Sequence, residues 1–190
     1  MGRSSSTVPR GRARGSTSGS PARKQNLAVG SSRWRVILAD DHPIVREGLR
    51  HRLEAGGTIE VVAEAGDGLT LLRQVADLNP DVAVVDISMP HMNGIDATRA
   101  IRSNHKAVRV LILSVHCSEA HVMDAIEAGA AGYVLKEAPA EDLQKAVDAV
   151  AHNKAYFSPA VSKLLADRVA AHGKASAREK LSVRELQVIR

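Results

Sequence analysis

The sequence predicts a doubly wound α/β fold, in which helices cover both faces of a five-stranded parallel sheet. Short runs rich in Val and Ile, with few polar residues between them, are typical of strands that are buried on both faces. Helical patterns separate these runs in strict alternation along the 190 residues. Alternating strands and helices build parallel sheets, so the order of the elements indicates this architecture.

Five apolar runs are expected to form the strands, and each is bounded by turn residues. The runs are RVILAD from Arg35, IEVVAEA from Ile59, DVAVVD ending at Asp86, VRVLILS ending at Ser114 and GYVLK ending at Lys136. The whole sequence holds only four aromatic residues. Val, Leu, Ile and Ala must therefore fill the core.

Five helices are expected between and after the strands, each with an apolar stripe at helical spacing. The stripes are Val45, Leu49 and Leu53; Leu69, Leu72 and Val75; Ile95, Thr98 and Ile101; Val122, Ala125 and Ile126; and Leu143, Ala146, Val147 and Val150. Asn79–Pro80 should close the second helix, because the residue before a proline disfavours helical backbone. Ser118 should cap the fourth helix, which stops near Gly129, and Pro139 should open the fifth.

The basic charge of the chain is concentrated at its start. Residues 1–35 hold eight of the 26 Lys and Arg residues and none of the 21 acidic ones, so the remainder carries a net charge of −3. A general affinity of the whole protein for nucleic acid is therefore not expected. We interpret residues 1–33 as a disordered basic tail, since a stretch rich in Ser, Gly and Arg buries too little surface to offset its ordering entropy. A myristoylation signal and an organellar transit peptide remain alternatives.

Two further counts limit the class of protein. The single Cys117 excludes an internal disulfide framework and suits a reducing cytosol. No apolar run approaches the roughly 18 residues of a membrane span. We therefore expect a cytoplasmic protein with no membrane partner.

Polar side chains follow the predicted strands at the points where they end. Asp40 and Asp41 follow the first strand, Asp86 ends the third, Ser114 the fourth and Lys136 the fifth. The carboxyl ends of parallel strands share one edge of a sheet, where ligands bind. Clustered carboxylates suit Mg²⁺, and a Lys with a hydroxyl suits a phosphoryl group. A single acid at a strand end is more often a solvated turn residue or a helix cap, but five such groups together favour a site.

The motifs LADDHPIVREGL, VVDISMPHMNGIDATRAIR, LILS and AGAAGYVLKEA, in this order, resemble the receiver domain of two-component response regulators, most of all the NarL/FixJ subfamily. The resemblance covers residues 34–157. It implies a flavodoxin-like sheet with strand order 2-1-3-4-5 and a sensor histidine kinase as partner. It also implies a phosphorylation-dependent switch that regulates transcription, and a homodimer formed on phosphorylation.

The resemblance also assigns roles at the strand ends. It implies that Asp86 is the phosphoacceptor and that Asp41, Asp86 and the backbone carbonyl of Ser88 bind Mg²⁺ directly, with Asp40 holding a metal-bound water. Further roles concern the phosphoryl group: Lys136 would neutralise it, Ser114 would donate a hydrogen bond to it, and Tyr133 would turn inward behind Ser114.

One position departs from many receivers, which carry a proline after the lysine, often joined by a cis bond. Glu137 stands there in this chain, and a cis bond before a non-proline residue costs about 2.5–4 kcal/mol. Other signals do not lead to a site. GDGLTLL lacks the third glycine of a dinucleotide loop. The histidines and cysteine at 116, 117 and 121 lack the spacing of a zinc site, and His42 is interpreted as a helix-start residue.

After the receiver, residues 158–180 are predicted to form a linker helix that begins near Pro159, followed by a flexible linker. Val161, Leu164, Leu165 and Val169 form its apolar stripe, which could dock on the receiver or on a partner helix. Residues 181–190, LSVRELQVIR, begin with a capping box and resemble the first helix of a LuxR-type helix-turn-helix output domain. We expect that domain to be truncated here, with no complete DNA-binding surface, because the recognition helix comes later.

Three functions follow as hypotheses. The first is a response regulator that Mg²⁺-dependent phosphorylation of Asp86 switches, which is not a turnover enzyme although it can dephosphorylate itself. The second is an interaction-only receiver that sequesters partners without binding specific DNA. The third is a Mg²⁺-dependent phosphohydrolase, which is least favoured because no separate acid or base is placed to process a released substrate.

Overall fold

The computed structural model of the chain describes residues 33–171. The predicted tail up to residue 32, and the linker and helix-turn-helix residues after 171, lie outside the described residues. None of the helices that the structure describes is long and apolar enough to cross a membrane.

Strands and helices alternate through the described chain. The strands are β1 (Trp34–Ala39), β2 (Ile59–Ala65), β3 (Val82–Asp86), β4 (Arg109–Ser114), β5 (Gly132–Leu135) and β6 (Tyr156–Phe157). The helices are α1 (Pro43–Glu54), α2 (Gly68–Leu78), α3 (Gly94–Asn104), α4 (Glu119–Glu127), α5 (Ala140–Ala151) and α6 (residues 159–171).

The strands form one sheet in the order β2-β1-β3-β4-β5-β6, and every pairing is parallel. The doubly wound fold and the order of the first five strands are confirmed. The predicted number of strands is wrong by one, because β6 adds a sixth strand at the β5 edge. Its two residues are too few to show the apolar run by which a buried strand is recognised.

The sheet separates two buried layers. Alternate residues of a strand point to opposite faces, so Ile37 lies in one layer while Val36 and Leu38 lie in the other. The layer that holds Ile37 includes residues of α2, α3, α4 and α6. The opposite layer includes residues of α1 and α5. Both faces of the central strands are therefore dry, which explains why their sequences do not alternate with polar residues.

The helix boundaries follow local chemistry. Side chains of Asp67, Asn93 and Ser118 accept backbone hydrogen bonds at the starts of α2, α3 and α4, which confirms the predicted Ser118 cap. Asn79 ends α2 with a left-handed backbone, φ 46°. The α2–β3 turn is therefore set by the Asn-Pro pair that the sequence indicates.

In the first five helices, two of the residues predicted for the apolar stripes are exposed. Leu69 is 48% exposed, and Leu71 of α2 is instead buried in the protein core. A reason is visible at Gly68, where an added Cβ would lie 2.6 Å from the carbonyl oxygen of Met92. This close approach fixes the rotation of α2, and GLTLL has apolar residues on more than one face. On α1, Val45 is 37% exposed, while Leu49 and Leu53 are buried as predicted.

Helix α6 packs on the same layer as α4. Val161 is fully buried, and Leu164 and Leu165 pack against the same cluster of residues. Val169 is 73% exposed, so the predicted apolar stripe is only partly covered. Of the two alternatives for this helix, the structure has it docked on the receiver.

Candidate functional site

Polar side chains from four adjacent strands meet at one edge of the sheet. Asp40 directly follows β1, Asp86 ends β3, Ser114 ends β4 and Lys136 directly follows β5. The register pairs Asp86 with Leu113 and Ser114 with Leu135, so these strands end level with one another. Three of the side chains, those of Asp40, Asp86 and Ser114, are at most 4% exposed.

Lys136 bridges two of the buried carboxylates. Its Nζ lies 2.6 Å from Oδ2 of Asp40 and 3.0 Å from Oδ2 of Asp86. Buried carboxylates are costly unless they are paired with a charge. The ammonium group therefore compensates both acids at once and holds them at a common point.

Burial and ion pairing shift the pKa values of Asp86 and Lys136. Burial raises the pKa of the Asp86 carboxyl above its ordinary value, and the hydrogen bond and charge of Lys136 offset only part of that effect. Burial acts to lower the pKa of Lys136, but its hydrogen bonds and charge interactions with Asp40 and Asp86 outweigh it and the pKa is raised. Lys136 is thus held as a cation, and the charge of Asp86 is only partly compensated by it.

Asp41 supplies a third carboxylate beside Asp40. Its Oδ1 is buried without a well-aligned hydrogen bond, although Nδ1 of His42 lies 2.7 Å away. One potential ligand atom from each of Asp40, Asp41 and His42 falls within 4.8 Å of the others. An underused carboxylate oxygen next to a second acid is a donor set that fits a hard divalent cation such as Mg²⁺.

The predicted metal ligands are brought together in part. Asp40 and Asp41 are neighbours, and Asp86 is joined to Asp40 through Lys136. Ser88, whose carbonyl was predicted as a ligand, is an exposed residue two positions beyond Asp86. The peptide bond between Lys136 and Glu137 is trans.

Two arginines that the sequence analysis did not assign hold the backbone of the site. Arg46 Nη1 donates to the carbonyl of Asp40 at 2.6 Å, and Arg52 donates to the carbonyls of Lys136 and Ala138. Both arginines lie on α1, about one and almost three turns after His42. Their charge next to an acidic strand end was the available signal, but surface arginines are too common for it to be specific.

Gly94 is a third residue whose role the sequence analysis did not assign. An added Cβ would lie 2.0 Å from the carbonyl oxygen of Asp86, so α3 begins directly against the backbone of the acid. Its N–H donates to the carbonyl of Ile87 at 2.9 Å. The glycine therefore lets the β3–α3 loop fold back tightly behind Asp86.

Ser114 and Tyr133 are linked through the loop that follows β4. The hydroxyl of Ser114 accepts the N–H of His116 at 3.0 Å, and the hydroxyl of Tyr133 donates to the carbonyl of His116 at 2.7 Å. Tyr133 is fully buried, and burial raises the pKa of its hydroxyl. The ring is turned inward, and it ties β5 to the backbone that leaves Ser114.

Comparisons with known proteins agree on one family. The family model of the response regulator receiver domain matches residues 36–148. The nitrate/nitrite response regulator protein NarP of Escherichia coli is 36% identical over 156 residues, which cover 82% of this chain and 73% of NarP. The transcriptional regulatory protein DegU of Brevibacillus brevis is 39% identical over 72% of this chain, which spans only 58% of that relative.

Solved structures give the same result. A LuxR-family two-component response regulator from Aurantimonas sp. SI85-9A1 superposes with a TM-score of 0.70 at 39% identity, covering 73% of this chain and 99% of that one. The isolated receiver domain of RcsB from Salmonella enterica, determined with the phosphomimetic BeF3⁻, gives a TM-score of 0.65 at 31% identity, with 70% and 99% coverage.

Proposed function

The chain belongs to the response regulator receiver family of NarL- and DegU-type two-component regulators, and we propose that Asp86 accepts a phosphoryl group from a sensor histidine kinase. One observation carries the proposal. Asp86 is a buried carboxylate at a strand end whose Oδ2 lies 3.0 Å from an ammonium group. A buried nucleophile beside a fixed cation suits the transfer of a negatively charged group.

The proposed step is a single displacement at phosphorus. A carboxylate oxygen of Asp86 attacks the phosphorus of a phosphohistidine, the P–N bond breaks, and the imidazole keeps the electron pair and takes up a proton. The product is an acyl phosphate on Asp86. The raised pKa of Asp86 strengthens the carboxylate as a nucleophile while it is ionised, and Lys136 balances the added negative charge.

We propose that Asp40, Asp41, Asp86 and the backbone carbonyl of Ser88 hold Mg²⁺. The carboxylate of Asp41 directly beside Asp40, with an Oδ1 that lacks a well-aligned hydrogen bond, supports this set. When bound, the metal ion supplies positive charge to the phosphoryl oxygens. Asp40 then has two functions, since it also anchors Lys136 at 2.6 Å.

Ser114, Tyr133 and Lys136 are proposed to respond to the phosphoryl group. On phosphorylation, the hydroxyl of Ser114 turns toward a phosphoryl oxygen, which changes its hydrogen bond with the N–H of His116. Tyr133 is bonded to the carbonyl of the same residue, so the β4–α4 loop and the tyrosine respond together. Phosphorylation would thereby bias two packings of this loop.

The output is proposed to be control of transcription, as in relatives named transcriptional regulators. We further propose that phosphorylation favours a homodimer, and that specific DNA binding belongs to a form with a complete helix-turn-helix domain. One solved relative is described as two RcsB dimers bound to two parallel DNAs. The cytoplasm is the proposed location, because it supplies the kinase and suits a chain with one cysteine.

The acceptor is tested by phosphorylation with ³²P-labelled acetyl phosphate and Mg²⁺. The wild-type chain should gain about one acid-stable, alkali-labile phosphoryl group per molecule, as an acyl phosphate would. Asp86→Asn should lose it, because an amide is not a nucleophile under these conditions. Asp77→Asn is the control, since Asp77 is an exposed acid on α2.

Persistent labelling of Asp86→Asn would show that another group is the acceptor. Continued release of phosphate, far beyond one equivalent and without a labelled protein, would instead favour the phosphohydrolase. The two functions are distinguished by the ratio of phosphate released to phosphate bound.

A further inference from the structure

Tyr133 contacts two different parts of the described chain. Its hydroxyl donates to the carbonyl of His116, in the β4–α4 loop (residues 115–118), at 2.7 Å. Its backbone carbonyl accepts the N–H of Ser158, immediately before α6, at 3.0 Å. A single residue thus connects the loop after Ser114 with the start of α6.

Helix α6 also contacts α4 directly, and a groove along this contact is bordered by that loop. The groove has a volume of about 460 Å³, with Cys117 and Glu119 on one side and Leu164, Asp167 and Arg168 among the α6 residues. The guanidinium of Arg168 pairs with the carboxylate of Glu119, in the first turn of α4. The interface therefore has an apolar part and an ionic part, both next to the β4–α4 loop.

The apolar part reaches the layer that contains Tyr133. Val161 of α6 and Tyr133 are both fully buried in the same cluster, together with Val122 of α4. Since protein interiors are close-packed, a ring that leaves this layer removes contacts from its neighbours. Docked α6 and the inward ring of Tyr133 therefore belong to one packed layer.

We propose that the docking of α6 on α4 and the β4–α4 loop is thermodynamically linked to phosphorylation of Asp86, each favouring the other. The proposal rests on the proposed function, in which the β4–α4 loop and Tyr133 respond together to the phosphoryl group, and it takes the inward ring as the arrangement that phosphorylation favours. Linkage is reciprocal, so loosening α6 must weaken the phosphoryl-bound state by the factor by which phosphorylation tightens α6. Through this linkage, phosphorylation of Asp86 changes how firmly α6 is docked, and so affects the part of the chain that follows α6.

The chain contains its own probe for docking. Cys117 is its single cysteine, is half-buried and lines the α6 groove. Its rate of reaction with 5,5′-dithiobis(2-nitrobenzoate) therefore reports how far α6 covers it. Val161→Ala should loosen α6 and speed the reaction, whereas Val169→Ala makes the same chemical change on the same helix at a 73% exposed position and should not.

The second measurement uses beryllofluoride with Mg²⁺ as the phosphoryl mimic, and ¹⁹F NMR gives the bound fraction. In the wild type, beryllofluoride should slow the labelling of Cys117. Val161→Ala should raise the half-saturating beryllofluoride concentration by about fivefold or more, the lower range of typical couplings. Arg168→Ala, which leaves the core intact, should shift both measurements in the same direction, and Val169→Ala should match the wild type.

The outcomes separate the two proposals. A wild-type chain that binds no beryllofluoride overturns the proposed function and the linkage with it. Normal beryllofluoride binding in variants whose Cys117 reacts faster overturns the linkage alone. Labelling that neither Val161→Ala nor Arg168→Ala accelerates shows that α6 does not cover the loop, which also overturns it. Circular dichroism confirms that each variant is folded.

Discussion

Asp86 is the residue at which stability and chemistry conflict. Its carboxylate is almost fully buried, and burial raises its pKa even though Lys136 lies 3.0 Å away. A raised pKa means that the folded state prefers the protonated acid. This preference stabilises the fold below the pKa of the unfolded chain, and the stabilisation is lost as the pH rises through the folded pKa.

Asp86→Asn should therefore raise the melting temperature at pH 7 in EDTA, because it removes a buried charge that is costly when ionised. The gain over wild type should grow as the pH is raised from 4 to 7. Each ~1 kcal/mol of removed cost corresponds to roughly 3 °C for a domain of this size. Calorimetry at several pH values measures it, with Asp77→Asn as the control. A gain that shrinks toward pH 7 would contradict the raised pKa.

Asp41 gives the corresponding prediction for the metal. Mg²⁺ at ten times its dissociation constant should stabilise the wild type by about 1.4 kcal/mol, since it binds only the folded state. Asp41→Ala should abolish this rise, because it removes a proposed ligand carboxylate whose Oδ1 lacks a well-aligned hydrogen bond. Thermal shifts in Mg²⁺ and EDTA measure the effect, and Asp77→Ala should retain it. An equal rise in Asp41→Ala would exclude Asp41 as a ligand.

At the scale of elements, the β3–α3 loop depends on close approach of two backbones. Gly94→Ala would put a Cβ 2.0 Å from the carbonyl oxygen of Asp86, and only backbone movement can relieve that contact. We expect a loss of more than about 2 kcal/mol of unfolding free energy and slower phosphorylation. Urea denaturation and acetyl phosphate labelling test the two effects.

Gly48→Ala is the matched control for that change. An added Cβ at Gly48 meets no atom within 4 Å, and the residue lies within α1. It should stabilise the protein by about 0.5–1 kcal/mol, as alanine does in a helix. An equal loss of unfolding free energy in Gly94→Ala and Gly48→Ala would show that the close contact with Asp86 is not what requires glycine at position 94.

The elements differ in how far the sequence could predict them. The strands were predictable because their Val-rich runs are buried on both faces, and IEVVAEA matches β2 residue for residue. The rotation of α2 was not, because Leu69 and Leu71 are equally apolar and the choice between them depends on tertiary contacts such as that of Gly68 with Met92. β6 was missed because its pairing with β5 depends on tertiary structure alone.

For the site, strand topology was enough to predict that acids and a lysine meet at one edge. The sequence could not predict that Lys136 bridges Asp40 and Asp86, because that depends on side-chain geometry across three strands. The same holds for Arg46 and Arg52, whose contacts with the site are hydrogen bonds to backbone carbonyls with no sequence signal. The residue types at the strand ends were therefore enough to predict the chemistry of the site. They were not enough to predict the contacts that position its side chains.

For the whole molecule, the uneven charge gives a testable result. Residues 1–33 hold seven Lys and Arg residues, while residues 36–190 carry a net charge of −3. The 190-residue chain should bind DNA weakly and without sequence preference, with a slope of log K against log salt no steeper than about −6. Deleting residues 1–33 should abolish the binding. Fluorescence anisotropy with two unrelated duplexes measures it, and tight binding to one duplex alone would contradict the prediction.

The parallel sheet has a further consequence for how the chain folds. Its first strand lies between β2 and β3, and each neighbouring pair is joined across at least one helix, so no described pairing is a local hairpin. Strands made early must wait for partners that are synthesised later, and such topologies fold slowly compared with helical bundles. During synthesis, β1 cannot pair with β3 until β3 leaves the ribosome, so its apolar side chains lack part of their cover in that interval, and such surface favours aggregation.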